Sequence, residues 1–319
     1  MSRLFSSCTR GFGTAALATG LLLAFPAAQA QRDSNACDRA CLKQMLDAYL
    51  GAVFKHDPGA VALTADHYAT ENTSMIKDGE GFWKEFNAYG AVKRGFFDPL
   101  NGSAAFLGVL KQTGGEDRIA SVRIKVEGGK VSEAEWIVAS QGPGGRGEAN
   151  PEGLVQYPPP DGPLPRSERS SRFMMKSLVN DFYQAVVDHY GDWVPNDPMC
   201  YRIENGGGKS AAQGNGAPTG SMMMPPYPKD GCLANFEAFD KSTRDIALRR
   251  FPLIDEEAGV VLCAVIFVRY PGVNRQDNLV HEYIQIRRDK VHAWWTSMYF
   301  LPLGSPVTSG WENRHGIWH

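Results

Sequence analysis

The amino-acid sequence predicts an α+β protein in which one structural plan occurs twice in tandem, helices first and then a mostly antiparallel sheet. Three observations carry this. An amphipathic helical pattern opens each half and is followed by short extended runs. A Pro/Gly-rich stretch separates the halves. Two local signatures recur: Asp47-Ala48-Tyr49-Leu50-Gly51-Ala52-Val53 is mirrored by Asp181-Phe182-Tyr183-Gln184-Ala185-Val186-Val187, and Glu71-Asn72 by Glu204-Asn205.

In the first half, Cys41, Met45, Ala48, Tyr49, Ala52 and Val53 recur at three and four residues, which gives one apolar helical face. Asp57-Pro58 ends that helix, and a short helix over Pro58–Leu63 follows. His67–Ile76 reads as a strand, and Gly81–Phe86 as a short helix carrying Trp83. Extended runs cover Ala91–Phe97, Ala104–Lys111 and Ile119–Val126. The chain turns at Glu127-Gly128-Gly129-Lys130 and returns over Val131–Ser140.

Between Gln141 and Arg166 lie Gly142-Pro143-Gly144-Gly145, Pro158-Pro159-Pro160 and Pro163-Leu164-Pro165. Such composition predicts an exposed connector without packed elements, placed at 144–167. The second half then repeats the order. Phe173–Tyr190 is an amphipathic helix, Met199–Asn205 a strand and Leu233–Phe239 a short helix. Ile254–Val260 and Val261–Tyr270 are extended. His281–Arg287 and Val291–Phe300 form a hairpin across Arg288-Asp289-Lys290. Gly206–Asp230, with Met222-Met223-Met224-Pro225-Pro226, reads as a long loop over the second unit.

The first 30 residues have the features of a cleavable export signal. Arg3 and Arg10 are followed by the apolar stretch Ala15–Phe25, then Pro26 and the small-x-small site Ala28-Gln29-Ala30. This run is too short to span a bilayer, which takes about 20 apolar residues. The expected mature chain is periplasmic or extracellular and makes no membrane contact. The organisation expected is signal 1–30, first unit 31–143, connector 144–167, second unit 168–312 and tail 313–319. Losing residues 1–30 removes two arginines and no acid, so the formal charge moves from −2 to −4. That mild acidity carries no footprint for nucleic acid.

Export permits disulfides. Cys37, Cys41, Cys200, Cys232 and Cys263 are five, so one thiol stays free. Cys37 and Cys41 are spaced for a local bridge, and a Cys200–Cys232 bridge would staple the base of the Gly-rich excursion. Cys263 sits in an apolar run and reads as a buried strand residue. No Cys-x-x-Cys pair suggests a metal site, and no phosphate-binding loop, dinucleotide fingerprint or Gly-x-Ser-x-Gly elbow is present. No cofactor is expected.

Helix, helix, strand with Glu-Asn, short helix with Trp, then antiparallel strands: this order resembles the nuclear-transport-factor-2-like superfamily, also called SnoaL-like or polyketide-cyclase-like. Cys37-Asp38-Arg39-Ala40-Cys41-Leu42 is similar to exported members with two such units. So are Thr70-Glu71-Asn72, Gly79-Glu80-Gly81-Phe82-Trp83, Arg123-Ile124-Lys125-Val126, Arg202-Ile203-Glu204-Asn205-Gly206, Arg250-Phe251-Pro252-Leu253-Ile254-Asp255 and Ser309-Gly310-Trp311. The resemblance spans about residues 35–310. It implies two cone-shaped units, each a curved sheet closed by helices around an apolar cavity. It also implies cofactor-independent lyase or isomerase chemistry on a bulky aromatic or apolar molecule, a lignin-derived aromatic dimer among the candidates. A non-catalytic binding or assembly module is the alternative, because the fold hosts both.

The expected catalytic set lies in the second half: His281 as proton carrier, Glu204 as acid or base, Arg202 as anchor for a substrate acid, and Tyr183 reaching from the helix. Catalysis requires His281, Arg202 and Glu204 to converge in one cavity. His281, Tyr283 and Gln285 share one strand face, which is either the cavity wall or a domain contact. Substrate-binding candidates are Tyr49, Tyr68, Glu71, Trp83, Arg94, Trp193, Tyr283 and Trp295, with Asp98 and Arg123 as further polar pocket residues. The two halves are expected to pair sheet to sheet as an internal pseudo-dimer.

Overall fold

A computed structural model describes residues 37–140, 149–207, 222–223 and 241–312. The export signal, Cys232, the short helix expected at Leu233–Phe239 and the tail lie outside these segments.

Helix α1 (Arg39–Phe54) begins where the Asp38 carboxylate accepts the Cys41 N–H at 2.9 Å. It buries Leu42, Leu46, Tyr49, Leu50 and Val53 on one side. Strands β1 (Leu63–Glu71), β2 (Ser74–Ile76), β3 (Phe86–Asp98), β4 (Ser103–Gln112), β5 (Arg118–Glu127) and β6 (Lys130–Val138) follow. They form a sheet in the order β2-β1-β6-β5-β4-β3.

The second half has α3 (Arg172–Asp188), β7 (Asn196–Glu204), β8 (Met222–Met223), β9 (Thr243–Asp255), β10 (Val260–Arg269), β11 (Asn278–Arg287) and β12 (Lys290–Phe300). Its sheet has the corresponding order, β8-β7-β12-β11-β10-β9. In each sheet one pair is parallel, β1 with β6 and β7 with β12, and the remaining pairs are antiparallel. The fold is therefore α+β with two mixed sheets of one topology. Even the central hairpins match: Gly128-Gly129 and Arg288-Asp289 both take positive φ at the two turn positions, as a tight hairpin that follows the strand twist requires.

The repeated Glu-Asn has a structural cause. Asn72 (φ 54°) and Asn205 (φ 48°) are left-handed at the strand ends, a conformation Asn tolerates better than most residues. The Asn72 side chain accepts the Val138 N–H at 3.0 Å, and the Asn205 side chain accepts the Met298 N–H at 2.7 Å. Each thus ties its strand end to the neighbouring parallel strand.

Three cores result. One lies between α1 and the inner face of the first sheet, a second between α3 and the inner face of the second. The third joins the two outer faces, with Phe96, Leu107 and Val109 against Leu262, Tyr283 and Trp295. Strands covered on both faces read as continuous apolar runs, as Val260–Val268 does. The halves also exchange reciprocal contacts. Asp255 accepts the Phe97 N–H at 2.9 Å and pairs with Arg39 at 2.8 Å. Asp98 accepts the Ile254 N–H at 2.8 Å and pairs with Arg172 at 2.6 Å.

Cys37 and Cys41 are joined, Cys200 is disulfide-bonded and Cys263 is free and buried. Pairing of Cys200 with Cys232 falls on a residue outside the described segments.

Three expectations need correction. The strand expected over His67–Ile76 is two antiparallel strands, β1 and β2, turned at Asn72-Thr73. Strand β9 begins at Thr243, well before Ile254. The connector is packed rather than bare: Pro151–Gln156 forms helix α2, capped by Asn150, with Leu154 fully buried. A Pro at the first helical position and an Asn before it are helix-start signals that act despite the surrounding composition. Gly153 meets Gly206 there so closely that a Cβ would stand 1.9 Å from the Gly206 carbonyl oxygen.

Candidate functional site

Strand register aligns the two inner faces row by row. In the first half one row runs Glu71, Trp136, Val122, Phe106. In the second, the corresponding row runs Glu204, Thr296, Glu282, Cys263. Three apolar side chains of the first half are thus replaced by a hydroxyl, a carboxyl and a thiol. The helix above differs in the same sense. The Tyr49 hydroxyl accepts the Trp136 indole N–H at 3.1 Å, whereas the Tyr183 hydroxyl donates to Glu282 Oε2 at 2.8 Å.

Glu282 is 3% exposed. Burial pushes its carboxyl up to about 8; the Tyr183 hydrogen bond and Arg202 oppose this, and the neighbouring Glu204 reinforces it. Burial also raises Glu204, against the guanidinium charges of Arg202 and Arg269. The Arg202 guanidinium approaches Glu204 at 3.7 Å. Burial drives the Tyr183 hydroxyl and the Cys263 thiol well above their ordinary values, so at neutral pH both keep their protons. Glu282 is then a carboxylic acid, able to give a proton from one oxygen while the other accepts from Tyr183.

His281 does not join this group. Side chains alternate along β11, so with Glu282 facing inward His281 faces outward. Its Nδ1 lies 2.8 Å from Ser121 Oγ and its Nε2 lies 3.6 Å from Glu135 Oε1, both residues of the first half. The expected convergence of His281 with Arg202 and Glu204 is overturned. Tyr283 and Gln285 share the outward face. The Tyr283 hydroxyl lies 2.6 Å from Ser121 Oγ and donates to the Phe106 carbonyl, and the Gln285 amide donates to the Ala258 carbonyl.

The other expected binding residues are also placed elsewhere. Tyr49 and Trp83 pack edge to face, 5.4 Å between centroids, within the first core. Glu71 accepts the Phe82 N–H at 2.5 Å and so pins the 3-10 turn Gly81–Lys84. Burial raises Glu71 to about 7, with that hydrogen bond opposing. Tyr68 donates to the Gly310 carbonyl and packs on Trp311 outside the sheet. Arg94 holds the connector through the Pro159 carbonyl, and Trp295 does so through that of Tyr157. Trp193 is 44% exposed.

A second polar constellation lies at the junction of the halves. The Glu135 carboxylate receives both terminal nitrogens of Arg250, at 3.1 and 2.5 Å, and pairs with Arg123 at 3.5 Å. Arg123 also pairs with Glu133 at 2.5 Å. Burial opposes ionisation of Glu135, but Arg250 and His281 outweigh it and hold the acid well below its ordinary value. Burial keeps His281 neutral, and Arg250 and Arg123 add to the effect against Glu135. Ser121, His281 and Glu135 thus form a string, but the Glu135 carboxylate is already taken by Arg250 and Arg123, and the imidazole Nε2 stands beyond hydrogen-bond reach of it. Its geometry suits structural pairing rather than nucleophilic attack.

Sequence reasoning passed over Glu282, Glu135 and Arg250. Glu282 adjoins His281, and only knowledge of which face is inward separates them. Among the described residues no three His, Cys, Asp or Glu side chains converge to hold a metal, and no helix is long and apolar enough to cross a membrane.

Residues 168–297 match a domain of unknown function, DUF8021. That span runs from just before α3 into β12 and contains Tyr183, Arg202, Glu204, Cys263 and Glu282. No curated protein matches the chain.

Proposed function

We propose that the second half is a cofactor-independent acid–base catalyst, a lyase or isomerase acting on a bulky aromatic or apolar molecule. One observation carries this reading: the inner row that is apolar beyond Glu71 in the first half becomes Glu204, Thr296, Glu282 and Cys263 in the second. Buried carboxyls are costly, and a fold that keeps Glu282 buried and Glu204 half-buried on one face beside an Arg and a Tyr is arranged for proton transfer. In this reading each half is a cone-shaped nuclear-transport-factor-2-like unit. The reciprocal Asp98 and Asp255 contacts support an internal pseudo-dimer. The first unit, filled by Trp83, Phe86 and Trp136, serves as scaffold. The export signal and paired cysteines support a periplasmic or extracellular location.

Arg202 would hold a substrate carboxylate or phenolate. In a dehydration, Glu204 takes a carbon-bound proton, the electron pair forms the double bond, and Glu282 protonates the departing hydroxyl, which leaves as water. In an isomerisation, the same pair returns the proton at a second carbon. Tyr183 positions Glu282 through its hydrogen bond. The two carboxyls titrate as a pair, and activity falls as Glu282 loses its proton near pH 8.

The test is turnover of a panel of aromatic acids and lignin-derived dimers by the exported chain without added metal or cofactor. Glu282→Gln and Glu204→Gln should each abolish it, and Tyr183→Phe should reduce it. Full activity in both carboxamide variants would return the protein to the binding-module alternative.

A further inference from the structure

A cleft beside the junction network gathers ligand-binding chemistry that the acid–base reading does not use. It holds about 690 Å³ between the outer face of the first sheet, the segment Leu248–Pro252 of β9 and the segment Ser309–Glu312. That size suits a small-molecule site. A β-bulge builds one wall: Leu248 is left-handed (φ 51°) where the β9–β10 register shifts. Beyond the bulge, Arg249 turns toward α3, where its Nη1 donates to Asn180 at 3.2 Å, and Arg250 turns toward Glu135.

The back of the cleft is Trp311, held by its indole N–H on Thr70 Oγ1 at 2.9 Å. The guanidinium carbons of Arg123 and Arg250 stand 5.0 and 5.6 Å from its ring centroid. Five basic side chains line the cleft, Lys125, Lys176 and Arg249 joining these two arginines, against the acids Glu133 and Glu312. Glu312 is turned onto the backbone and hydroxyl of Ser309, and Glu133 onto Arg123. Counting Glu135 behind them and Glu127, which Lys125 meets at 3.5 Å, one positive charge remains in excess.

Arg123 is 2% exposed, yet its Nε, like that of Arg250, is buried without a hydrogen-bond partner among the described residues. Buried donors are nearly always satisfied, and a guanidinium edge is matched by a carboxylate. Leu248 and Phe251 supply apolar wall, and the Lys176 ammonium stands 5.8 Å over the Phe251 ring.

We infer that this cleft is a second ligand site, for a small molecule that joins a carboxylate to a flat apolar body. The carboxylate meets the guanidinium edges and Lys176, and the body lies against Trp311, Leu248 and Phe251. This holds whether or not the second half is catalytic.

The experiment is calorimetric titration of the exported chain with naphthalene-2-carboxylate, with naphthalene-2-methanol and inorganic sulfate as comparison ligands. The carboxylate should bind saturably, and each comparison ligand at least tenfold more weakly. Lys125→Gln/Lys176→Gln, which leaves the buried network intact, should weaken the carboxylate about tenfold, the loss of roughly one charge-assisted contact. Glu282→Gln should leave this affinity unchanged, which separates the cleft from the acid–base row. Absence of saturable binding overturns the inference. So does equal affinity for the alcohol or for sulfate, an unaltered affinity in the double variant, or a loss in Glu282→Gln.

Discussion

Glu282→Gln should make the protein's stability less sensitive to pH, and the sign and size follow from one carboxyl. In the unfolded chain Glu282 titrates near 4.5; in the folded protein burial lifts it to about 8. Below pH 4.5 both states hold the proton, and the carboxyl's contribution to stability is fully present. Between 4.5 and 8 the unfolded chain releases the proton while the folded chain keeps it, so each step upward in pH favours unfolding. At about 1.36 kcal/mol per pH unit, the full loss approaches roughly 5 kcal/mol by pH 9. A loss of that size is a large part of the stability of an ordinary domain, roughly 5–15 kcal/mol. The carboxamide keeps an acceptor for the Tyr183 hydroxyl but does not ionise. Urea unfolding at pH 5 through 9, with disulfides intact, should show the variant gaining several kcal/mol on the wild type as pH rises. Glu71 shifts in the same direction in both proteins and cancels in the comparison, whereas Glu204, coupled to Glu282, contributes to the difference. Parallel stability curves for the two proteins would refute the buried, protonated Glu282.

Other consequences are structural. Asp255→Ala strips acceptors from the Phe97, Glu257 and Ala258 N–H groups and from Arg39; chemical denaturation should show a loss of about 3 kcal/mol or more. Asp98→Ala should behave alike, because its contacts to Ile254 and Arg172 are the reciprocal set. Asn205→Ala loses a left-handed residue suited to its place and the acceptor of the Met298 N–H. Thermal unfolding should report about 2–3 kcal/mol lost. Arg250→Met leaves Glu135 with a weaker set of partners and should cost about 3–5 kcal/mol. Adding Glu135→Gln should restore part of it, a coupling that a double-mutant cycle on denaturation midpoints would read.

The helices, hairpins and repetition were legible because each rests on local signals. The i, i+3, i+4 apolar spacing around Tyr49 and Tyr183, the turn at Gly128-Gly129 and the Glu-Asn pair are all short-range features. Their counterparts in the structure are the two sheets of one strand order. What the sequence hid was the facing of the strands. On β11 the residues from Asn278 to Ile286 are buried on both sides, so burial cannot select which of His281 and Glu282 points inward. That choice is made by the packing of α3 on one face and of the first sheet on the other, a tertiary matter. The early part of β9 escaped for a related reason. It is an edge strand with a bulge at Leu248 and four charged residues, Arg244, Asp245, Arg249 and Arg250, which break the period of two. In the connector, overall composition outweighed the local Asn-Pro start of α2.

Metal- and cofactor-free turnover of the aromatic panel at pH 7, measured side by side for the wild type and folded Glu282→Gln, tests the acid–base reading most directly. The account predicts product from the wild type and none from the variant, with the variant at least as resistant to urea at pH 8. Product at the wild-type rate from Glu282→Gln, or no product from the wild type across the panel, would contradict it.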